Sequence, residues 1–201
     1  MSVDQMNVYM LIAVCLLSYG FGGLNGAYYL TEIYLKDDIR RHGSGNAGAT
    51  NAGRLLGKKG FILTILIDTF KVMAALAITF YMSENDPAAM SLSSFFLLIG
   101  HLFPVQLGFR GGKGVVVFLA ASLFLNPLSI LVLAVLMGVS YLLLKDFKKA
   151  GFISMLTIPL SAYLSDQPAE YWVVLLIMLA IVLLVHQKTP PRQVHHRHHR
   201  R

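Results

Sequence analysis

Charge is what this chain has least of: only 13% of its 201 residues are Asp, Glu, Lys or Arg, where soluble domains carry roughly 25%. With 56% hydrophobic residues and a mean hydropathy of +0.63, that scarcity excludes an ordinary soluble globule. Cysteine is almost absent as well. The single Cys15 lies in an apolar run and reads as a small buried hydrophobe, so no intrachain disulfide and no paired-cysteine metal or redox motif can form. The sequence also lacks internal repeats and long Pro/Ser/Gly linkers. One compact unit over residues 1–188 is therefore expected, followed by a disordered tail at 189–201 rich in arginine and histidine. The first residues, MSVDQMN, have no basic stretch and no small-residue cleavage site follows, so the first apolar run reads as a retained span.

Apolar runs occur at about seven places: 6–30, 61–82, 92–109, 115–125, 128–144, 152–164 and 171–185. A helix needs about 20 apolar residues to cross the hydrocarbon, and shorter runs serve as broken or tilted segments when protein covers their ends. The fold class expected is an all-α polytopic membrane protein with about seven membrane helices, some short or broken. Its charges alternate between the turns. Cations gather at 36–59, at Arg110 and Lys113, at Lys145, Lys148 and Lys149, and in the tail; acids without cations mark Asp4, Glu84 with Asp86, and Asp166 with Glu170. The positive-inside rule then puts the amino terminus outside and the carboxyl terminus in the cytoplasm. The net charge of +7 is explained by this edge and by anionic lipid headgroups, so nucleic acid is not an expected partner.

Two inner segments carry the chemistry. The first, RRHGSGNAGATNAGRLLGKKG, contains a literal G-x-G-x-x-G, but LKDDIRRH precedes it where a dinucleotide site requires a strand. It also approaches a phosphate-binding Walker loop, yet Arg54 and Leu55 stand in the lysine and Ser/Thr positions. What these loops share still applies. Small residues let backbone N–H groups converge, Ser44, Gly45, Asn46, Thr50 and Asn51 surround them with donors, and Arg54 adds a fork suited to phosphate. The second segment, GHLFPVQLGFRGGKGV, sets Lys113 between Gly112 and Gly114, which permits close approach of backbone and ammonium to an anion. If Val115 starts a helix, its amino-terminal end adds to that attraction. His101, at the end of an apolar run, serves equally as a structural donor or a catalyst. Asp68 and Lys71 stand one helical turn apart inside a span, where pairing lowers the cost of both charges, and they are kept as supporting residues.

GSGNAGATNAGR and GHLFPVQLGFRGGKGV, with their spacing, the IDTFK stretch and the plan of inner loops, resemble the acyl-phosphate:glycerol-3-phosphate acyltransferases, the PlsY family, over most of the chain up to about His186. The resemblance implies a multi-pass enzyme of the bacterial cytoplasmic membrane with its active site on the cytoplasmic face. It would take acyl phosphate and glycerol 3-phosphate as substrates in the lipid bilayer, with no cofactor and no metal. Ser44, Gly45, Asn46, Thr50 and Asn51 would form the phosphate loop, Arg54 and Lys113 would grip the substrates, and His186 would orient the acceptor. Two departures, as in a diverged paralogue, bear on the acceptor side. The family's asparagine three residues after that histidine is Thr189 here, followed by Pro190 and Pro191, and its serine-containing inner stretch is replaced by Lys148-Lys149-Ala150-Gly151.

No serine or cysteine nucleophile with a paired base is visible, and none of the seven histidines is followed five positions later by aspartate, so the histidine-aspartate acyltransferases are excluded. A single intramembrane aspartate argues against phosphatidyl transferases. The competing reading is a carrier of an organic phosphate or other small anion, but carriers bind near the midplane, whereas these cations lie at one edge.

Overall fold

The computed structural model describes residues 3–187, with side chains from residue 8 onward. Among the described residues every regular element is helical: α1 (Val3–Gly23), α2 (Gly26–Leu35), α3 (Ala49–Ser83), α4 (Pro87–Leu102), α5 (Val115–Leu125), α6 (Pro127–Leu144), α7 (Phe147–Met155), α8 (Thr157–Leu164) and α9 (Ala169–Gln187). Five stretches are long and apolar enough to cross a bilayer, namely Val8–Leu35, Ala49–Ser83, Pro87–Leu107, Pro127–Leu144 and Ala169–Gln187. The fourth run is the short helix α5, and the sixth is the broken pair α7 and α8. Pro159 sits in the first turn of α8, where a missing N–H is tolerated. The basic tail, including Thr189, Pro190 and Pro191, lies outside the described residues.

The first apolar run, read from sequence as one span over 6–30, is two helices. Gly22-Gly23 and Leu24 end α1, and the buried Asn25 starts α2 as its N-cap, its side-chain oxygen accepting from the Tyr28 N–H at 2.9 Å. The same side chain donates to the Ala47 carbonyl at 2.9 Å, so the break also ties down the first glycine loop. An Asn side chain can satisfy both a helix start and a distant carbonyl, which is why the chain turns here without any charge to announce it.

Helix α3 has 35 residues with a kink at Gly57 (φ 68°, ψ −165°). That backbone region is open essentially to glycine alone. At 1.5 Å per residue a straight helix of this length would span about 50 Å, well beyond a hydrocarbon core of about 30 Å. The kink splits off a short arm, 49–56, which carries Arg54.

The centre of the bundle is α4, packed against α1, α3, α5 and α9. Leu97 and Leu98 of α4 meet Val72 and Leu76 of α3, Phe118 of α5 and Leu175, Met178 and Leu179 of α9 in one continuous core. At the α1–α4 crossing the two backbones touch: a Cβ on Gly22 would lie 3.1 Å from the Gly100 Cα and inside contact distance of the Leu97 carbonyl, and one on Gly100 would meet the Tyr19 carbonyl. Nearby the hydroxyls of Ser18 and Ser93 are 2.8 Å apart, and Thr79 of α3 donates to Ser93 at 3.0 Å. Lipid tails are as apolar as leucine, so close approach and interhelical hydrogen bonds hold such helices together where hydrophobicity cannot. At the other extreme, Ser129 is the one buried residue of α6, and Leu131, Val135 and Leu142 are exposed as a lipid-facing surface requires.

Candidate active site

The first glycine loop is shaped from within. Gly43 and Gly45 take left-handed backbone angles (φ 55° and 71°), and the buried Asn51, in the first turn of α3, reaches back into the loop. Its oxygen accepts from the Ser44 N–H at 3.0 Å, while its nitrogen donates to the carbonyls of His42 at 2.9 Å and Ile39 at 3.2 Å. The sequence places Asn51 among the donors to an anion; it does line the cleft described below, but both of its amide hydrogens are engaged inside the loop, on the His42 and Ile39 carbonyls. Helix α3 itself begins at Gly48 without any side-chain cap, so its first amides and the electropositive end of the helix face outward.

Arg40 joins this loop to the second one. It makes an ion pair with Asp38 (2.7 Å), packs over the Tyr28 ring at 5.3 Å, and donates to the carbonyl of Leu107 and, at 3.4 Å, to that of Arg110. The hydrogen bond from Arg40 holds the Asp38 carboxyl below the usual carboxylate range.

The second loop is held by its backbone. The Gly111 N–H donates to the Leu102 carbonyl and the Gly112 N–H to the His101 carbonyl, both at 3.0 Å. A Cβ on Gly112 would run into His101 Nε2 and stand 2.8 Å from the Ala47 carbonyl, so the two loops meet at a position where only glycine fits. Gly114 (φ 81°) then starts α5 at Val115, as expected from sequence. Between these glycines, Lys113 is half-buried. Its pKa is lowered from the ordinary lysine value, first by burial and then by the charges of Lys148 and Arg54.

Asp68, Lys71 and His101 form a buried network below the loops. The Lys71 ammonium lies 2.9 Å from Asp68 Oδ1 and 3.0 Å from His101 Nδ1, and donates to the carbonyls of Gly22 at 3.0 Å and Leu24 at 2.6 Å. Asp68 Oδ1 also accepts from the Gly26 N–H at 3.2 Å. Three ammonium donors divided among four acceptors leave none for a substrate. Lys71 thus pins the α1–α2 break, and Asp68 and His101 extend from that network to the floor of the cleft described next.

A cleft of about 710 Å³ opens over this floor. Ser44, Asn46, Thr50 and Arg54 enter it from the first loop and the α3 arm, Lys113 and Gly114 from the second loop, and His186 from the last turn of α9. Its other lining is apolar, with Phe61 and Ile65 of α3, Leu119 of α5, and Phe147, Phe152 and Met155 of α7. Of the residues expected from sequence, Gly45, Gly112 and Lys71 stand behind the wall rather than on it. Lys148, which the sequence reading treated only as a departure from a pattern, lies on it. Sequence reasoning also missed Asn25, although the interruption Gly-Gly-Leu-Asn-Gly in an apolar run was a usable signal.

His186 Nδ1 lies 3.0 Å from the Val182 carbonyl, four residues back, and the ring sits edge-on to Phe152 at 5.1 Å. A carbonyl can only accept, so Nδ1 carries a proton, and when the ring is neutral Nε2 is the acceptor. Among the described residues no three His, Cys, Asp or Glu side chains gather as a metal site. The polar end of the cleft therefore presents three cations, Arg54, Lys113 and Lys148, and its one carboxylate, Asp68, is engaged by Lys71. Such an end suits phosphate groups, and the apolar lining suits a hydrocarbon chain.

Comparison with known proteins agrees with this chemistry. The family model described as glycerol-3-phosphate acyltransferase matches residues 12–196. A glycerol-3-phosphate acyltransferase 1 of Desulfitobacterium hafniense is 32% identical over 92% of this chain and 89% of its own length. The protein of the same name from Bacillus cereus is 35% identical over 89% of this chain and 93% of its own. Among solved structures, the glycerol 3-phosphate form of PlsY (YgiH), an integral membrane glycerol 3-phosphate acyltransferase, has the same fold, with a TM-score of 0.79 at 24% identity over 88% of both chains. Its lysophosphatidic acid form gives 0.76 at 23% identity.

Proposed function

The chain belongs to the glycerol-3-phosphate acyltransferase family, and from that premise we propose that the cleft transfers a fatty acyl group from acyl phosphate to the 1-hydroxyl of glycerol 3-phosphate. The products are 1-acyl-glycerol 3-phosphate (lysophosphatidic acid) and inorganic phosphate. The protein is an integral membrane acyltransferase of phospholipid biosynthesis. One observation carries the assignment of the reaction to this cleft: a cationic end built from two glycine loops continues into an apolar trough.

An acyl phosphate already contains a good leaving group, so catalysis reduces to positioning and to neutralising crowded charge. The hydroxyl oxygen of the acceptor bonds to the acyl carbon, the bond from that carbon to the phosphate oxygen breaks, and the phosphate leaves with the electron pair. The hydroxyl proton, hydrogen-bonded to His186 Nε2 before transfer, ends on the departing phosphate. In this scheme Ser44, Asn46, Thr50 and the α3 amino terminus hold the donor phosphate, and Arg54 and Lys113 balance the charge that grows as it departs. His186 Nε2 accepts from the acceptor hydroxyl and aims it. Asn51, Gly45, Gly112, Asp68, Lys71 and His101 keep these groups in place, and the hydrocarbon chain lies along Phe61, Ile65, Leu119 and Phe152. No residue needs to form a covalent acyl intermediate.

The cationic edge would face the cytoplasm, where the positive-inside rule puts it, and residues 1–188 would act as one unit. Thiol labelling of intact cells tests the orientation in a Cys15→Ala background: Glu84→Cys and Asp166→Cys should react with an impermeant reagent, and Lys59→Cys and Lys149→Cys should not. Labelling of Lys149→Cys from outside would reverse the topology. The donor is tested with purified protein and labelled glycerol 3-phosphate. Acyl phosphate should support transfer, inorganic phosphate should compete with it, and free coenzyme A should not inhibit at similar concentrations. Equal rates from acyl coenzyme A or acyl carrier protein would overturn the donor assignment.

A further inference from the structure

Asp146 caps α7 by accepting from the backbone N–H groups of both Lys148 (3.0 Å) and Lys149 (3.1 Å). That cap fixes the first turn, and neighbouring residues on a helix point about 100° apart, so two lysines adjacent in sequence part company. Lys149 folds back on Asp146 at 3.6 Å. Lys148 enters the cleft wall, and among the described residues no carboxylate lies within ion-pair distance of it.

The cations also enter the cleft from different elements. Lys148 stands one helical turn before Phe152 on α7, and Phe152 packs edge-on against His186 at 5.1 Å, so Lys148 and His186 share one side of the cleft. Arg54 enters with the first loop, and Lys113 enters from the second loop. Three cations in one cleft repel one another until anions arrive, and the reaction brings two phosphate groups. Arg54 and Lys113 suffice for one of them together with the negative charge that develops on transfer.

We propose that Lys148 is the ligand for the phosphate of the acceptor, glycerol 3-phosphate, and sets the enzyme's preference for a phosphorylated alcohol. The proposal rests on the cleft reaction argued above and adds a division of its cations. Lys148 holds the acceptor's phosphate while His186 receives the far hydroxyl, Arg54 attends the donor, and Lys113 is shared.

The experiment uses the full chain, purified, with acyl phosphate as donor. Lys148→Ala should raise KM for glycerol 3-phosphate about tenfold or more, the scale of a lost charge-assisted hydrogen bond, while KM for acyl phosphate stays within about twofold and kcat changes little. Lys148→Arg should restore most of the loss, and Lys149→Ala should behave as wild type. Transfer to glycerol itself, which has no phosphate to hold, should be the same in Lys148→Ala and wild type. An unchanged KM for glycerol 3-phosphate would sink the proposal, and so would equal rises for both substrates or a folding defect that Lys148→Arg fails to repair. Binding is read separately as protection of the protein from thermal unfolding by glycerol 3-phosphate, expected in wild type and lost in Lys148→Ala. If wild type were protected but transferred nothing from acyl phosphate, the proposed reaction would fail while the assignment of Lys148 survived.

Discussion

The two glycine loops that meet over the cleft are held by opposite means. The first is wired by side chains: Asn51 makes three hydrogen bonds within it, Asn25 holds its Ala47 carbonyl, and Arg40 clamps it to its neighbour. The second is held by its own amides and by contacts so close that no side chain fits at Gly112. A loop wired by side chains is sensitive to what its residues carry. A loop wedged by backbone is sensitive to anything they add.

The largest expected effect comes from adding one carbon to the wedge. Gly112→Ala should force the loops apart, because the new carbon runs into Nε2 of the buried His101 ring and meets the Ala47 carbonyl at 2.8 Å. Displacing Lys113 by about 1 Å can cost about 10²-fold in rate, and overpacking costs about 1–3 kcal/mol. Both a collapse of kcat and a fall in melting temperature are therefore expected, and normal values for both would show that the loop is not wedged. Next comes Lys113→Ala, which leaves the wedge intact and removes only the ammonium. Turnover should fall by about 10² or more with an unchanged melting temperature, and near-normal turnover would reduce Lys113 to a topological anchor.

Asn51→Ala tests the wired loop. It strips partners from the Ser44 N–H and from two carbonyls, so a stability loss of about 1–3 kcal/mol is expected, read as a shift of the unfolding midpoint together with weaker inhibition by inorganic phosphate. A stable protein with only its kcat reduced would return Asn51 to the role of a direct donor. The smallest effect is one of pH. The charged form of Lys113 is present below its pKa and lost as pH rises through it, and burial with the Lys148 and Arg54 charges moves that pKa down. The alkaline limb of kcat/KM should therefore lie below the ordinary lysine value of about 10.4. Lys113→Arg, which stays charged, should remove that limb. A limb unchanged in Lys113→Arg would belong to another group.

These contrasts explain what the sequence could disclose. The loops were legible because glycines and cations concentrate in two short segments between apolar runs, a pattern with few physical uses beside a membrane. The split of the first run at Leu24-Asn25 was not, since a buried asparagine carries no charge and its partners, Tyr28 and Ala47, are known only once the chain has folded. Asn51 looked like a ligand donor because its type suits one, but whether its amide hydrogens are free for a ligand or spent on its own loop depends on where α3 begins. Lys148 and Lys149 are indistinguishable in sequence until the Asp146 cap sets their rotation. The kink at Gly57 was hidden because Gly53, Gly57 and Gly60 all read as parts of one glycine-rich segment ahead of the span, and only the folded chain shows α3 running through two of them and breaking at the third.

The touching glycines of α1 and α4 have a consequence for the order in which this protein is made. Gly22 leaves the ribosome many residues ahead of Gly100, so α1 enters the bilayer before the surface shaped to receive it exists. Until α4 arrives, α1 lacks the partner that meets its Tyr19 and Ser18, and Lys71 of α3, which bridges the Gly22 and Leu24 carbonyls, sits in a floor without His101. Biogenesis therefore has a late commitment point. Chains arrested before α4 should keep α1 accessible to crosslinking with lipid or with the insertion machinery, and chains extended just past α4 should lose that crosslink in a single step.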